Sequence, residues 1–458
     1  MFEEIPNDLL QIFRRDAATW LLPKFLKNCK SGIFSKKNMP FCQKNLKNML
    51  RFIFILCFIS SLFACKNQMS NNATTAEQAL QIPQLLDRPE ALRNGIEWDN
   101  VQNYYGTQTT ALRQNPKNYD ARIKLAECFI QEARVTGEHP HYYPAALAML
   151  EVVIQDLSAK TNASINEKDL YFQALSHKAG VQLSLHDFKG AKVTATQALA
   201  LNPYNANIYG CLVDAHVELG EYEAAVKMCD KMVEIRPDLR SYARVSYLRE
   251  IHGDVQGAIQ AMKMAVGAGY PGYEQTEWAR LQLGHLYEKY DDQKMAALQY
   301  ETCLQARENY PFALAAKASL AEAQGRPEEA VQWLQKAIAI IPEVGFYTDL
   351  AKMMKKTGNQ AALDTLIPQI EAMYAEDKAA GHRVALEEAA FHLELTGKVD
   401  LAAALISEEL AIRPDNIDVN KMAAAIARRQ NRPQDAAAYL KKATRTGAKD
   451  PEIAEMML

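Results

Sequence analysis

The chain has 458 residues, of which 48% are apolar and 23% charged, and a formal net charge of −3. This length is more than one compact core usually holds, and the composition excludes a disordered or collagen-like chain. Residues 1–64 carry ten basic and four acidic side chains, which leaves 42 basic and 51 acidic side chains, a net charge of −9, in 65–458. An acidic body disfavours binding to the phosphates of nucleic acid, so we expect no nucleic-acid partner.

Residues 1–48 show no periodic apolar pattern, and they end at a basic flank that contains Lys44, Lys47 and Arg51. Exported precursors start with such a flank. We therefore interpret 1–48 as a doubtful N-terminal extension and Met49 as the true start. The alternative is a cytoplasmic segment ahead of an uncleaved anchor.

An uncharged apolar run of 13 residues follows, from Phe52 to Ala64. It is shorter than the roughly 20 residues that a membrane-spanning helix needs, and it fits the apolar region of a secretory signal. The run ends in Leu62-Phe63-Ala64-Cys65, which resembles the lipobox of bacterial lipoproteins, although Phe63 replaces the usual small residue. The resemblance implies a signal peptide over 49–64, cleavage after Ala64 and a lipid on Cys65.

The segment 65–85 begins with a polar stretch and reads as a tether. We therefore expect a lipoprotein of the bacterial cell envelope that is anchored to a membrane through Cys65. Lys66 replaces the Asp that retains some lipoproteins at the inner membrane, which favours the outer membrane. The alternative interpretation of 52–64 is a buried apolar helix in a cytosolic protein.

From about residue 86 apolar residues recur three and four positions apart, which indicates helices throughout. Pro203, Pro237 and Pro271 are spaced by 34 residues, the period of helix-turn-helix repeats. A stacked array of this kind buries apolar faces between neighbouring units. It works through an extended surface more often than through one catalytic pocket.

The clearest unit is 206–237. The tetratricopeptide repeat has an aromatic residue and a leucine in its first helix, which correspond to Tyr209 and Leu212, and a turn glycine, a small residue and a helix-ending proline, which correspond to Gly220, Ala225 and Pro237. The unit resembles that family. Weaker copies of the pattern occupy 119–157, 172–203, 239–271, 277–310, 311–342, a stretch from 344, 383–414 and 417–450. The resemblance implies an all-α, right-handed superhelical solenoid over 86–458 with about nine repeats.

No catalytic motif is present: the sequence lacks His-Glu-x-x-His, Gly-x-Ser-x-Gly and a phosphate-binding loop. We therefore expect no enzyme activity, no cofactor and no metal. His139 and His141 lie in a segment, 134–144, that we interpret as a solvated loop between the two helices of the first unit, because a metal site would need further ligands nearby. Cys229 and Cys303 occupy core positions of the repeat, so we expect buried thiols.

The concave face of the solenoid can be assigned by offset along the first helix of each unit. The residues that we expect to bind a partner there are Asn207, Asp214, Arg240, Arg244, Tyr247, Trp278 and His285. Arginine and aromatic side chains are enriched where proteins bind one another. The alternative is that these are ordinary solvated positions. The Lys/Asn/Arg clamp with which some family members hold a C-terminal carboxylate is not visible.

The sequence therefore predicts a non-catalytic scaffold, anchored in the envelope, that binds a protein or peptide of unknown identity along its concave face. The alternative is a glycan-capture lipoprotein that resembles the starch-binding (SusD-like) family of gut bacteria, which combines such repeats with long loops. The unbroken register from 172 to 342 leaves little room for those loops. An enzyme would need an active site that the sequence does not display.

Overall fold

The structure, a computed structural model, describes residues 80–457. The extension 1–48, the signal segment 49–64 with Ala64, and the lipidation residue Cys65 lie outside the described residues. Over 80–457 the chain forms 20 helices and no β-strand, which confirms the all-α prediction. No helix in this part of the chain combines the length and the apolar character that crossing a membrane requires.

A short 3-10 turn at Glu90–Leu92 precedes the first α-helix. The helices are α1 (Glu97–Gln114), α2 (Tyr119–Thr136), α3 (His139–Ser158), α4 (Ile165–Ser184), α5 (Phe188–Leu201), α6 (Ala206–Glu218), α7 (Tyr222–Ile235), α8 (Leu239–Ile251), α9 (Val255–Gly267), α10 (Glu274–Lys289), α11 (Gln293–Ala306), α12 (Pro311–Ala323), α13 (Pro327–Ile340), α14 (Val344–Lys356), α15 (Gln360–Ala379), α16 (Ala385–Phe391), α17 (Val399–Ile412), α18 (Ile417–Arg429), α19 (Pro433–Ala443) and α20 (Pro451–Met457). A π-helical turn, His392–Thr396, extends α16.

Helices α2 to α19 form nine successive pairs, flanked by α1 and α20. The turn inside every pair holds a residue with positive φ: Gly137, His186, Gly220, Gly253, Asp291, Gly325, Gly358, Gly397 and Asn431. Such a residue ends the first helix. In four of these turns the next residue then caps the second helix by accepting from a backbone N–H in its first turn: Asp187, Asp254, Asp292 and Asn359.

Small residues let the two helices of a pair approach closely. The side chains of Ala195, Ala225 and Ala258 have no exposed surface. In the pair α10–α11 a Cβ on Gly284 would lie 2.3 Å from a ring carbon of Tyr300, so only glycine fits there. The helix-turn-helix solenoid predicted from the repeats is the observed architecture.

The solenoid curves so far that its second half contacts its first half. The backbone N–H of Ile417 donates to the hydroxyl of Tyr222, 195 residues earlier, at 2.9 Å, and the N–H of Arg383 donates to the carbonyl of Leu185 at 3.1 Å. The hydroxyl of Thr446 donates to the carbonyl of Ile251 at 2.6 Å. We call this contact the seam. It joins the turns at 136–139, 185–187, 218–222 and 251–254 to the turns at 341–343, 382–383, 413–417 and 446–450.

The seam also contains buried apolar and charged groups. One apolar cluster includes Tyr222 and Ile251 from the first half of the array together with Ile417, Leu440 and Ile453 from the second half. The guanidinium of Arg413, the residue after the end of α17, lies at 2.7 Å from Glu218 across the seam and at 2.5 Å from Glu409 on α17. The seam is therefore packed like a domain interior.

The predicted loop at 134–144 is wrong. Helix α2 continues to Thr136 and α3 begins at His139, so only 137–138 connect them. Pro140 is tolerated in the first helical turn, where its missing N–H costs no hydrogen bond. Tyr142 is fully buried, and His139 stacks on Tyr143, so this segment is helix and core.

Candidate binding cavity

The first helices of three successive pairs, α6, α8 and α10, line a cavity of about 700 Å³. Six of the seven residues predicted for the concave face lie on its wall: Asp214, Arg240, Arg244, Tyr247, Trp278 and His285. The seventh, Asn207, lies beside it and accepts a hydrogen bond from Arg240 at 3.2 Å. We call this space the inner cavity. The residues chosen by their offset thus come together at one place.

Arg244 and Asp214 form a bidentate ion pair across neighbouring pairs of helices. The Nε of Arg244 donates to one carboxylate oxygen of Asp214 at 2.8 Å, and its Nη2 donates to the other at 2.5 Å. Burial disfavours the charge of Arg244, but the carboxylate of Asp214 outweighs burial and raises its pKa. Because two hydrogen bonds join Asp214 on α6 to Arg244 on α8, the pair fixes these two helices relative to each other at the wall of the cavity.

Arg240 lies one turn earlier on α8 and has different partners. Its Nη1 donates to the amide oxygen of Asn207, and its Nε and Nη2 donate to that of Gln275 at 3.4 and 3.3 Å. Partial loss of hydration inside the cavity, followed by the positive charges of Arg236 and Arg244, lowers the pKa of Arg240. Neutral amides therefore hold this guanidinium in place without neutralising it.

A second cavity, of about 480 Å³, adjoins the inner cavity and shares Trp278, Gln282 and His285 with it. It continues over α12 and α14, where Phe312 and Phe346 lie on its wall. Trp278 is 38% exposed, which is unusual for this side chain on an inward face. The two cavities together form a surface that is cationic near α8 and apolar toward α12.

Two uncharged titratable side chains lie at the centre of this surface. Burial lowers the pKa of His285, against the opposing charge of Glu288, so its ring is neutral at pH 7. Its Nδ1 lies 3.1 Å from the hydroxyl of Tyr300. Burial also raises the pKa of Tyr247 well above its usual range. Both side chains therefore offer hydrogen bonds without a charge.

Carboxylates with basic partners line the side of the inner cavity nearest the seam. Glu250 accepts from Lys289 at 2.9 Å, and Glu218 pairs with Arg413. Burial raises the pKa of Glu218 to about 7 despite the charge of Arg413. This side is electrically balanced, in contrast to the surroundings of Arg240.

Sequence reasoning missed several residues on these walls. Gln275 and Gln282 lie on α10 at the spacing of the residues that were chosen, so the same offset argument could have included them. Arg134 reaches the inner cavity from α2, where it pairs with Glu274 at 3.2 Å. Nothing in the repeat pattern places α2 there, because its position depends on the curvature of the whole array.

Over 80–457 no group of three or more His, Cys, Asp or Glu side chains is arranged to hold a metal ion. The four cysteines of this part are free thiols, and Cys128, Cys229 and Cys303 are buried. Burial raises the pKa of Cys229 to about 11 and that of Cys303 to about 12, so both act as apolar core residues, as predicted.

Two profiles of the tetratricopeptide repeat match this chain, one over residues 182–249 and the other over 296–344. No curated protein gives a significant match to its sequence.

Several solved structures are similar to parts of this chain. A monomeric mutant of human IFIT1 with Gppp-AAAA is 12% identical over 75% of this chain and 76% of its own, with a TM-score of 0.46. TTC0263, a thermophilic TPR protein of Thermus thermophilus, is 18% identical over 45% of this chain and 98% of its own, with a TM-score of 0.37. The APC/C hetero-tetramer Cut9-Hcn1 gives 11% identity over 80% of this chain and 60% of the matched chain, with a TM-score of 0.42.

Proposed function

We propose that this chain, a tetratricopeptide-repeat protein with repeats at 182–249 and 296–344, is a non-catalytic scaffold of the bacterial cell envelope that binds a protein or peptide through the inner cavity. Repeat arrays of this type generally mediate protein–protein interactions along the extended surface of the solenoid. The lipid on Cys65 would hold the scaffold at a membrane, with the outer membrane favoured by Lys66.

The observation that carries the proposal is the convergence of Asp214, Arg240, Arg244, Tyr247, Trp278 and His285 on one cavity wall. Arginine and aromatic side chains that are accessible but held in place provide binding energy with little loss of side-chain entropy. Concave sites of this kind can bury a large part of a ligand's surface.

The test of binding is site-specific photocrosslinking in the native envelope. A photoreactive residue replaces Gln282, which lies on the walls of both cavities. The matched control carries it at Val193, which is 59% exposed on α5. We expect a discrete crosslinked protein from position 282 only. The product should disappear in the double variant Arg244→Ala, Tyr247→Ala, provided that this variant unfolds at the same temperature as the wild type.

Equal crosslinking from both positions, or an unchanged product in the double variant, would contradict binding in the inner cavity. The anchor is tested separately by mass spectrometry of the mature N-terminus. We expect lipid-modified Cys65 as the first residue. An unmodified chain that retains residues 49–64 would rule out the lipoprotein assignment and leave the cavity proposal intact.

The alternative, glycan capture, has less support from the fold. Between α1 and α20 the longest connections are short turns such as 268–273 and 444–450. Tyr204, Tyr270 and Tyr273 are 83%, 78% and 70% exposed in such turns, but they lie outside the inner cavity. Glycan-array binding that is lost when these tyrosines are replaced would favour the alternative.

A further inference from the structure

The arginines around the inner cavity differ in how their charges are neutralised. Three of them have a carboxylate within salt-bridge distance: Arg134 with Glu274, Arg236 with Asp238, and Arg244 with Asp214. Arg240 has no such partner among the described residues. Its side chain is exposed to the cavity and contacts only amide oxygens. The excess positive charge is therefore concentrated at one accessible guanidinium.

The local geometry concentrates this charge further. The amide oxygen of Asn207 accepts from Arg236 at 2.6 Å and from Arg240 at 3.2 Å, so two cations share one neutral acceptor. Asp238 neutralises Arg236 at 2.7 Å, so the guanidinium left without a carboxylate within salt-bridge distance is that of Arg240. A carboxylate on a ligand would supply that partner and could accept both N–H groups of one guanidinium edge.

An apolar surface lies next to this charged site. Gln275 binds Arg240, and Trp278, one turn further along α10, is on the wall shared by both cavities. Phe312 continues the apolar wall on α12. A ligand that pairs with Arg240 therefore meets an aromatic surface as it extends along the array.

We propose that the inner cavity recognises a polypeptide segment that carries an acidic side chain and, a few positions away, a large apolar one, with Arg240 binding the carboxylate and Trp278 the apolar group. The inference rests on the proposed function and adds the chemical class of the partner. The carboxylate belongs to an aspartate or glutamate within the segment, and a free C-terminus is not required.

The test uses the purified full chain in detergent as the target for a random dodecapeptide library displayed on phage. The peptides are fused through their C-termini, so that only side chains can supply a carboxylate. We expect the wild type to select peptides enriched in Asp or Glu a few positions from Trp, Phe or Leu. Arg240→Gln should lose the acidic enrichment and keep the apolar one. The matched control, Arg249→Gln, removes the same charge from α8 at a position paired with Asp254 and should select as the wild type does.

Affinities of a selected peptide then measure the contact directly. The amide form of the peptide, with Asn or Gln in place of its acidic residue, should bind the wild type about tenfold more weakly, as expected for one charge-assisted hydrogen-bonded pair. The same replacement should leave its affinity for Arg240→Gln unchanged, and Arg240→Lys should recover part of the affinity.

The outcomes separate this inference from the proposed function. Failure to enrich any peptide would overturn the inference, whereas the crosslinking at position 282 decides the proposed function separately. Enrichment without acidic residues, or acidic enrichment that persists in Arg240→Gln, would overturn the inference alone. Loss of binding to anionic lipid vesicles in Arg240→Gln, with peptide affinity unchanged, would assign the arginine to a membrane surface and would also overturn it.

Discussion

The hydroxyl of Tyr222 accepts the backbone N–H of Ile417 at 2.9 Å, although the two residues are 195 positions apart. In a simple solenoid each unit contacts only its neighbours, and stability is a sum over units and their interfaces. This hydrogen bond instead connects the unit that begins at α6 to the unit that begins at α18. The seam therefore makes the folding of the two halves interdependent, and this can be measured.

Gly220→Ala should destabilise the protein through the seam. Gly220 has φ of +76°, and a Cβ there would lie 2.5 Å from the carbonyl carbon of Asp415. Gly325 has φ of +72° and nothing within 4 Å of its Cβ position, so Gly325→Ala carries the backbone strain alone, about 1–2 kcal/mol. We expect Gly220→Ala to lose about 1–3 kcal/mol more in urea unfolding. Equal losses in the two variants would show that the seam does not form.

Arg413→Ala should be among the most damaging single changes outside the apolar core. Arg413 and Glu409 are 5% and 6% exposed, and Arg413 also stacks over the ring of Phe188. Removing the cation leaves a buried carboxylate without its partner, which costs about 3–5 kcal/mol of unfolding free energy. The exposed pair Lys231–Glu234 is the control, and Lys231→Ala should leave the unfolding free energy nearly unchanged. Similar small losses for both variants would contradict the buried geometry at the seam.

Gly284→Ala and Gly106→Ala should have effects of opposite sign. Both glycines lie inside helices, where alanine is intrinsically favoured by about 0.5–1 kcal/mol. A Cβ on Gly106 meets nothing within 4 Å, so this variant should be stabilised by that amount. A Cβ on Gly284 would overlap the fully buried ring of Tyr300, so that variant should unfold at a markedly lower temperature. A stabilised Gly284→Ala would mean that α10 and α11 pack less closely than described.

His382→Phe should make the protein less sensitive to acid. Burial, followed by the charges of His186 and His139, lowers the pKa of His382 to about 3, and neither ring nitrogen has a hydrogen-bond partner. An unfolded histidine binds a proton near pH 6.5. The neutral, buried His382 therefore contributes fully to the unfolding free energy of the wild type above pH 6.5. This contribution is lost progressively as the pH falls toward 3.

Between pH 7 and pH 5 the unfolding free energy of the wild type should fall relative to His382→Phe by about 2 kcal/mol. Glu343 and Asp377 line a cavity at the seam together with His382. Burial raises the pKa of Glu343 to about 7 and that of Asp377 to about 6, so these two groups increase the unfolding free energy as the pH falls. Both carboxyl groups are present in the two proteins, so the difference isolates the histidine. Parallel pH profiles would contradict the buried, neutral state of His382.

The helix pairs could be predicted because a 34-residue period encodes contacts between neighbours. Pro203, Pro237 and Pro342 lie two residues beyond the ends of α5, α7 and α13, where the pattern places them. The seam could not be predicted in this way. Its residues, such as Arg413 and Tyr222, lie in or beside turns, and the distance between them depends on small rotations that accumulate over about six units.

The candidate site was partly accessible from the sequence for the same reason. Arg244 and Trp278 are 34 residues apart on successive first helices, so the repeat register alone places them on one wall. Arg134 was missed because it comes from a distant pair. The sequence also could not predict that Arg240 has no carboxylate within salt-bridge distance among the described residues, because this depends on which side chains surround its guanidinium. Whether these residues hold a partner stays a prediction.

The seam also changes how this array responds to force. A solenoid whose superhelical turns do not contact one another lengthens like a spring when its ends are pulled, because only the angles between neighbouring repeats must change. Here the hydrogen bonds at Leu185, Tyr222 and Ile251 join the first half of the array to the second half across the seam. These contacts must break before the array can lengthen, so we expect it to resist extension more strongly than an array without a seam.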